Sequence, residues 1–256
     1  MKRFCTFIFA AGLFSASSWS QNYTVAEWNR TRILVDSTYD VKPHQAAMDF
    51  VAPYKHRVDS IMSPVVGYLE CAANIERPES KMMNLMADIM VWAGKKHGEK
   101  VDIGVYNFGG VRSPMARGPV TFGDVMAVSP FENKICFLSL RGDAVLELFQ
   151  QMAVTGGECV SHGVQLVISQ PKDGKLISAR LNGKKINPKK LYRIATIDFI
   201  AQGNDNMAAF RKKQDVRSFS DPSFNAREII AGYFREMKSK GIKVNPVVEG
   251  RITIKK

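Results

Sequence analysis

The segment at residues 101–112, which reads VDIGVYNFGGVR, places the strongest constraint on how this chain can fold. Its first six residues alternate in polarity and are rich in β-formers, so they predict a strand. Gly109 and Gly110 then predict a turn in which the backbone can approach a ligand closely. Asn107 and Arg112 flank that turn with an amide and a rigid fork of donors. The pattern fits a strand end that binds a small anionic or polyhydroxylated ligand, or a plain turn beside an exposed arginine.

Helical and strand patterns mix along the rest of the chain without strict alternation. The predicted helices lie at about 43–62, with an interruption near Pro53, and at about 79–96, 144–154 and 224–239. The predicted strands lie at 32–35, 65–69, 101–106, 134–140, 164–168, 176–181, 191–196 and 250–254, with a hairpin turn at Asn182-Gly183. This mixture predicts the α/β (α+β mixed) class, as one domain over residues 21–256.

The first twenty residues predict a signal peptide. Two basic residues precede an apolar run at 4–14, and Ser18 and Ser20 are small residues at the positions that signal peptidase recognises. Cleavage after about Ser20 would give a periplasmic or secreted protein. The apolar run is too short to span a bilayer and no longer one follows, so no membrane span is expected in the mature form.

The formal net charge of +12 raises the question of an anionic partner. The lysines occur as scattered pairs, without a dense basic tract in which aromatic residues are interleaved. This argues against nucleic acid as a partner. It leaves either a solvated basic surface or mild steering of anionic ligands such as nucleotides.

The sequence offers a binding site more readily than a reaction centre. Its four histidines are scattered, and it contains no metal-binding run, P-loop or nucleophile elbow. We therefore assign no catalytic residue, no metal ligand and no cofactor to this chain. Signal cleavage would leave three cysteines, which allow at most one internal disulfide; buried free thiols are the simplest interpretation.

Five motifs in a fixed order resemble the C-terminal, substrate-binding domain of the 5′-nucleotidase family. They are NFGGVR at 107–112, GPVT at 118–121 before Asp124, PFEN at 130–133, LRG at 140–142 and DFIAQGND at 198–205. Together with a helix that begins near Glu79, the resemblance covers about residues 65–210. It implies a single 5′-nucleotidase C-terminal-like domain, with a mixed sheet and flanking helices.

The resemblance also implies a set of substrate-binding residues. They are Asn107, Gly109, Gly110, Arg112, Phe131, Phe199 and Asp205. In that family two phenylalanines sandwich the base, and Phe131 and Phe199 are at the matching positions. Asp205 would accept hydrogen bonds from the ribose hydroxyls. Asn107 and Arg112 would face the phosphate or the sugar, and the two glycines would allow the ligand close to the backbone.

This chain departs from the family pattern in three places. Around the acid the family reads Gly-Gly-Asp-Gly-aromatic, whereas residues 203–207 read GNDNM; asparagine also tolerates left-handed backbone angles. A family arginine before the first helix has no clear counterpart, although Arg77 is nearby. The two-metal domain that cleaves the phosphate is not expected in this chain, because too few residues precede Val65.

The resemblance therefore implies an exported nucleotide- or nucleoside-binding domain of a phosphoric-monoester hydrolase family, acting in nucleotide catabolism. A separately encoded metallophosphoesterase chain, carrying the divalent metals, would be its partner. Two alternatives remain open. One is a stand-alone nucleoside-binding protein, and the other is a structural domain with a degraded pocket.

Overall fold

The computed structural model describes residues 27–34, 36–170 and 172–255. They fall into two units, which divide between Phe50 and Val51. In the first unit, a 3₁₀ turn covers Ser37–Val41. The predicted signal peptide lies outside the described residues. The strand predicted at 32–35 is wrong where it can be compared, since residues 32–34 are irregular; they have no neighbouring strand in the described chain to bond with.

The described residues contain six helices and eleven strands. The helices are α1 (Gln45–Met62), α2 (Lys81–Lys96), α3 (Phe122–Val128), α4 (Gly142–Val154), α5 (Asp198–Ala201) and α6 (Ala226–Ser239). The strands are β1 (Val65–Leu69), β2 (Ile103–Tyr106), β3 (Gly118–Thr121), β4 (Ile135–Arg141), β5 (Cys159–Val160), β6 (Val164–Ile168), β7 (Leu176–Leu181), β8 (Lys184–Lys185), β9 (Leu191–Ile197), β10 (Gln214–Ser218) and β11 (Ile252–Ile254).

The second unit contains two mixed sheets and a two-stranded ribbon. The larger sheet has the order β10-β4-β9-β2-β5, in which β9 and β2 are parallel and the other pairs antiparallel. The smaller sheet has the order β11-β6-β7-β8, with β11 parallel to β6. The ribbon pairs β1 with β3. Both sheets mix strand directions and helices accompany them, which confirms the predicted α/β (α+β mixed) class.

Helix α2 fixes the position of β2, an interior strand of the larger sheet. Ser80 caps the helix by accepting a hydrogen bond from the Met83 amide, and the apolar face that follows is buried. A Cβ added to Gly104 of β2 would lie 2.2 Å from the Ala87 carbonyl oxygen. The glycine therefore allows helix and strand to approach more closely than any side chain would permit. This close packing also fixes where the residues that follow β2 begin.

Two local predictions differ from the structure, and two others are confirmed by it. Helix α1 continues through Pro53 instead of breaking there, since an exposed helix can lose one backbone hydrogen bond to water. Helix α4 begins at Gly142, two residues before the predicted start at 144. Asn182 and Gly183 have φ of 50° and 75°, which confirms the hairpin turn. Cys136 and Cys159 are buried free thiols, as predicted, and Cys71 is free and half-buried.

Among the described helices, none has both the length and the apolar character needed to cross a bilayer.

Candidate functional site

The site forms where two parallel neighbouring strands end. Strands β2 and β9 pair in parallel, with Ile103 opposite Ile194. Their carboxyl ends therefore meet at the same edge of the larger sheet, and the loops that follow them are neighbours. Asn107 comes directly after β2, and Phe199 lies in the short helix that follows β9.

One cavity at this edge, of about 310 Å³, brings all seven predicted substrate-binding residues together. Its lining consists of Asn107, Gly109, Gly110, Arg112, Phe131, Asn133, Phe199 and Asp205. The volume is at the lower end of the roughly 300–1,000 Å³ typical of small-molecule pockets. Asn133 was not among the predicted residues, although it closes the PFEN motif, and its place in that motif was the available signal.

The polar floor of the cavity is a bonded pair. The Asn107 Nδ2 donates to Asp205 Oδ2 at 2.7 Å, and Asn107 is only 4% exposed. A carboxylate can only accept, so this bond fixes which end of the amide faces Asp205. The other end, Asn107 Oδ1, is buried and has no hydrogen-bond partner among the described residues. A buried acceptor without a partner is costly, and a ligand donor at this point would remove that cost.

Space is tight at both glycines of the turn, and at Gly110 it excludes any side chain. A Cβ on Gly110 would lie 2.4 Å from Asn107 Oδ1 and 2.9 Å from the Tyr106 ring. A Cβ on Gly109 would lie 3.3 Å from Asp205 Oδ2. Any larger residue at position 110 would therefore displace the asparagine that forms the floor.

The loop that carries Asp205 turns through left-handed backbone angles at two residues that are not glycine. Asp205 and Asn206 both have left-handed backbone angles, with φ of 57° and 61°. Asparagine and aspartate adopt this region more readily than other side chains. The Asn204 Nδ2 also donates to the Phe199 carbonyl at 2.8 Å, which ties the loop back to α5.

The two phenylalanines are half-exposed on the cavity wall, Phe131 at 44% and Phe199 at 40%. A core phenylalanine would be almost fully buried, so these rings leave faces available for stacking. Arg227 holds the loop on both sides of Phe131: it donates to the Pro130 carbonyl at 3.4 Å and to Glu132 at 2.7 Å.

Glu158, which lies outside the predicted motifs, binds the backbone of the turn through its side chain. It is 2% exposed, and its Oε2 accepts the Phe108 backbone N–H at 2.6 Å. Its Oε1 accepts from Arg77 at 2.6 Å and from the Thr155 hydroxyl at 3.0 Å. The Arg77 guanidinium in turn lies 4.1 Å from the centre of the Phe108 ring. Burial raises the pKa of Glu158, although these hydrogen bonds and Arg77 oppose the shift.

Arg112 provides the cation of the site. Its backbone N–H donates to the Val128 carbonyl at 2.9 Å, which fixes the main chain. Its exposed side chain makes a weak contact of 3.3 Å to the Gly109 carbonyl, so most of its donors remain available to an anion.

The arrangement can therefore hold a planar ring against phenyl faces, accept hydrogen bonds at Asp205 and Asn107, and meet an anion with Arg112. No group of three or more His, Cys, Asp or Glu side chains suited to a metal ion occurs within residues 27–34, 36–170 and 172–255.

Comparison with known proteins adds independent information. The family described as "5′-nucleotidase, C-terminal domain" matches residues 64–212. Among curated proteins, the chain is 27% identical over 216 residues to the trifunctional nucleotide phosphoesterase protein YfkN of Bacillus subtilis, covering 78% of this chain and 14% of that protein. It is 25% identical over 207 residues to the 5′-nucleotidase of Vibrio cholerae, covering 78% of this chain and 36% of that one.

Among solved structures, the 5′-nucleotidase precursor of Thermus thermophilus has the same fold, with a TM-score of 0.70 and 23% identity. That match covers 82% of this chain and 43% of the other. The chain thus spans well under half the length of these relatives.

Proposed function

Because the chain belongs to the 5′-nucleotidase C-terminal domain family, as its motifs predicted, we propose that its cavity binds the nucleoside part of a nucleotide. The observation that supports this most directly is the cavity itself, in which two half-exposed phenylalanines lie with an aspartate, an asparagine and an arginine. The base stacks on Phe131 and Phe199, which suits any nucleobase because each presents a π-face. The ribose hydroxyls donate to Asp205.

The unpartnered Asn107 oxygen supports the same proposal. It accepts a hydrogen bond from a ligand donor, whereas its amide nitrogen stays bonded to Asp205. Arg112 meets the phosphate, since a guanidinium fork matches phosphate oxygens in geometry and charge.

We further propose that the chain is exported and serves nucleotide catabolism with a separately encoded metallophosphoesterase that carries the divalent metals. The relatives named as nucleotidase or phosphoesterase match this chain over only part of their length. Those activities belong to the longer proteins, and they support the proposal by showing what such a domain can be combined with.

Calorimetric titration of the purified chain with AMP and adenosine, without metal, tests the binding site. Saturable binding is expected, and Phe199→Ala should weaken it about 5- to 150-fold, because stacking on one aromatic ring contributes roughly 1–3 kcal/mol per base. Tyr68→Ala is the matched control, since Tyr68 is 38% exposed and lies outside this cavity. Absence of binding at millimolar ligand, or equal losses in both variants, would contradict the proposal.

Phosphate release from AMP with Mg²⁺ or Mn²⁺ tests the division of labour. The purified chain alone is expected to stay at the background rate. Metal-dependent hydrolysis by this chain alone would contradict the separate phosphoesterase and would leave the binding proposal intact.

A further inference from the structure

A second cavity, of about 350 Å³, shares no lining residue with the proposed nucleoside site and lies along β7. Strand β7 pairs along its length with β6, whereas β8 has only two residues and pairs with Arg180 and Leu181. The Leu176 N–H is occupied by the Gln150 side chain at 2.9 Å. Residues 177–179 therefore have a strand neighbour on one side only, among the described residues. An open strand edge of this kind is a template for another extended chain.

The walls of this cavity are apolar. Leu146 of α4 and Leu176 are half-buried, Ile186 is buried, and Ile177 is 46% exposed at the register shift between β6 and β7. Apolar side chains beside an open edge can accept the alternate side chains of an added strand.

The rim of the cavity is basic. Residues 174–186 contain four Lys and Arg residues and no Asp or Glu. Arg180 and Lys185 line the cavity, and Lys184 is exposed beside them. Within the described residues none of these three forms an ion pair with a carboxylate; Arg180 donates only to the Gly183 carbonyl, at 2.9 Å. The folded hairpin thus concentrates charge that the sequence shows only as scattered lysine pairs.

We propose that this groove binds an extended, acidic segment of a partner protein, which adds to β7 as a strand. The open edge supplies main-chain hydrogen bonds, the apolar walls receive alternate side chains, and the basic rim selects acidic residues. Within the described lining no aromatic side chain occurs, so the stacking that favours single-stranded nucleic acid is missing. The groove and its occupant do not depend on the nucleoside site.

Fluorescence anisotropy with a labelled nine-residue peptide of alternating glutamate and valine tests the proposal. Saturable binding that weakens as salt rises is expected. Lys184→Glu with Lys185→Glu should weaken it by about tenfold or more, because two attractions become repulsions. Lys95→Glu with Lys100→Glu is the matched control: both lysines are exposed, and the net charge changes equally away from the groove. Equal losses in the two double variants would overturn the proposal in favour of general charge attraction.

Two further probes separate strand addition from simple anion binding. A peptide of the same charge with proline at its centre should bind at least about tenfold more weakly, since proline cannot donate to a ladder. Ile177→Lys adds a positive charge and removes an apolar wall, so charge attraction alone would strengthen binding, whereas strand addition predicts that binding weakens. Equal affinity for the proline peptide, no binding of either peptide, or binding only to phosphatidylglycerol vesicles would overturn the proposal.

Discussion

A buried carboxylate, Glu158, connects protein stability to the turn that lines the candidate site. It accepts hydrogen bonds from the Phe108 backbone, Arg77 and Thr155 while lying almost entirely out of water. Its raised pKa indicates that burial outweighs these bonds for the charged form. A carboxyl whose pKa is raised on folding binds a proton more tightly in the native state. Stability from this group is therefore present at low pH and is lost as pH rises through the interval above 4.5.

Glu158→Gln tests this interpretation. The amide keeps an acceptor for Phe108 and never ionises, but its NH2 group faces the donors of Arg77 and Thr155. We therefore expect the unfolding free energy to fall by about 1–3 kcal/mol near pH 4, and the variant to lose less stability than wild type as pH rises above 4.5. Glu158→Ala should cost about 2–4 kcal/mol near pH 4, because it leaves a buried backbone N–H without an acceptor and opens a void, and this cost should shrink as pH rises. Urea unfolding between about pH 4 and 8 measures both. Equal pH dependence in wild type and the Gln variant would contradict the assignment.

The residues that the motifs singled out lie together in the structure, and their binding role stays a prediction. The seven predicted residues line one cavity because the motifs follow strands that turned out to be neighbours. Glu158 and Arg227 lie outside those motifs, and nothing in their local sequence distinguishes a buried support from a solvated charge, since most Glu and Arg residues are exposed. Their roles depend on contacts far along the chain, such as Arg227 with Glu132.

At the scale of elements, packing of α6 on β1 depends on a single glycine. A Cβ on Gly67 of β1 would lie 2.8 Å from two atoms of Phe234, and Phe234 is fully buried on α6. Gly232, on the same helix, has only one neighbour within 4 Å of an added Cβ, a Trp92 ring atom at 3.7 Å. The first glycine is required by contact, whereas the second only weakens the helix.

These two glycines should respond oppositely to alanine. Gly232→Ala is expected to raise the unfolding free energy by about 0.5–1 kcal/mol, because alanine loses less conformational entropy in a helix. Gly67→Ala is expected to lower it by about 1–3 kcal/mol, since Phe234 must move within a packed core. Thermal or urea unfolding of both variants measures the difference. A destabilising Gly232→Ala would mean that α6 packs more tightly on Trp92 than the distances indicate.

Long periodic helices could be predicted, whereas several of the short elements could not. Helices α2, α4 and α6 have apolar faces several turns long, so the spacing of their apolar residues is too regular to arise from amino-acid composition alone. Strands β5 and β10 were missed: β5 has two residues and β10 is exposed and polar. Helix α3 was also missed, although Thr121 and Asp124 form a capping box that was visible as T-x-x-D before an apolar run.

On the scale of the whole second unit, sheet order is set by contacts that local pattern does not contain. Strand β11, near the end of the chain, pairs with β6. Arg251, the residue before β11, bonds to helix α2 through Asp88. Arg251 is 4% exposed and donates to Asp88 on α2 at 2.7 and 2.9 Å, to Glu249 at 2.8 Å and to the Val160 carbonyl at 2.9 Å. The Arg251 guanidinium thus bonds to α2 and to β5 of the larger sheet. The backbone carbonyl of Arg251 accepts from the Leu166 N–H of β6, in the smaller sheet, at 2.7 Å.

Arg251→Ala should therefore destabilise the unit as a whole. The buried Val160 carbonyl would lose a donor and Asp88 would lose its cation, at a cost of about 2–4 kcal/mol; Asp88 and Glu249 are partly exposed, so water recovers part of the loss. For a unit of this size the melting temperature should fall by about 5–15 °C. Arg141→Ala is the control, because its pair with Asp143 is about half exposed, is screened by water, and should leave the melting temperature nearly unchanged. Unfolding followed at two salt concentrations adds a second criterion. The effect of Arg251→Ala should be nearly independent of salt because the guanidinium is buried, and an effect that disappears at about 1 M salt would mean that this network acts only as a surface pair.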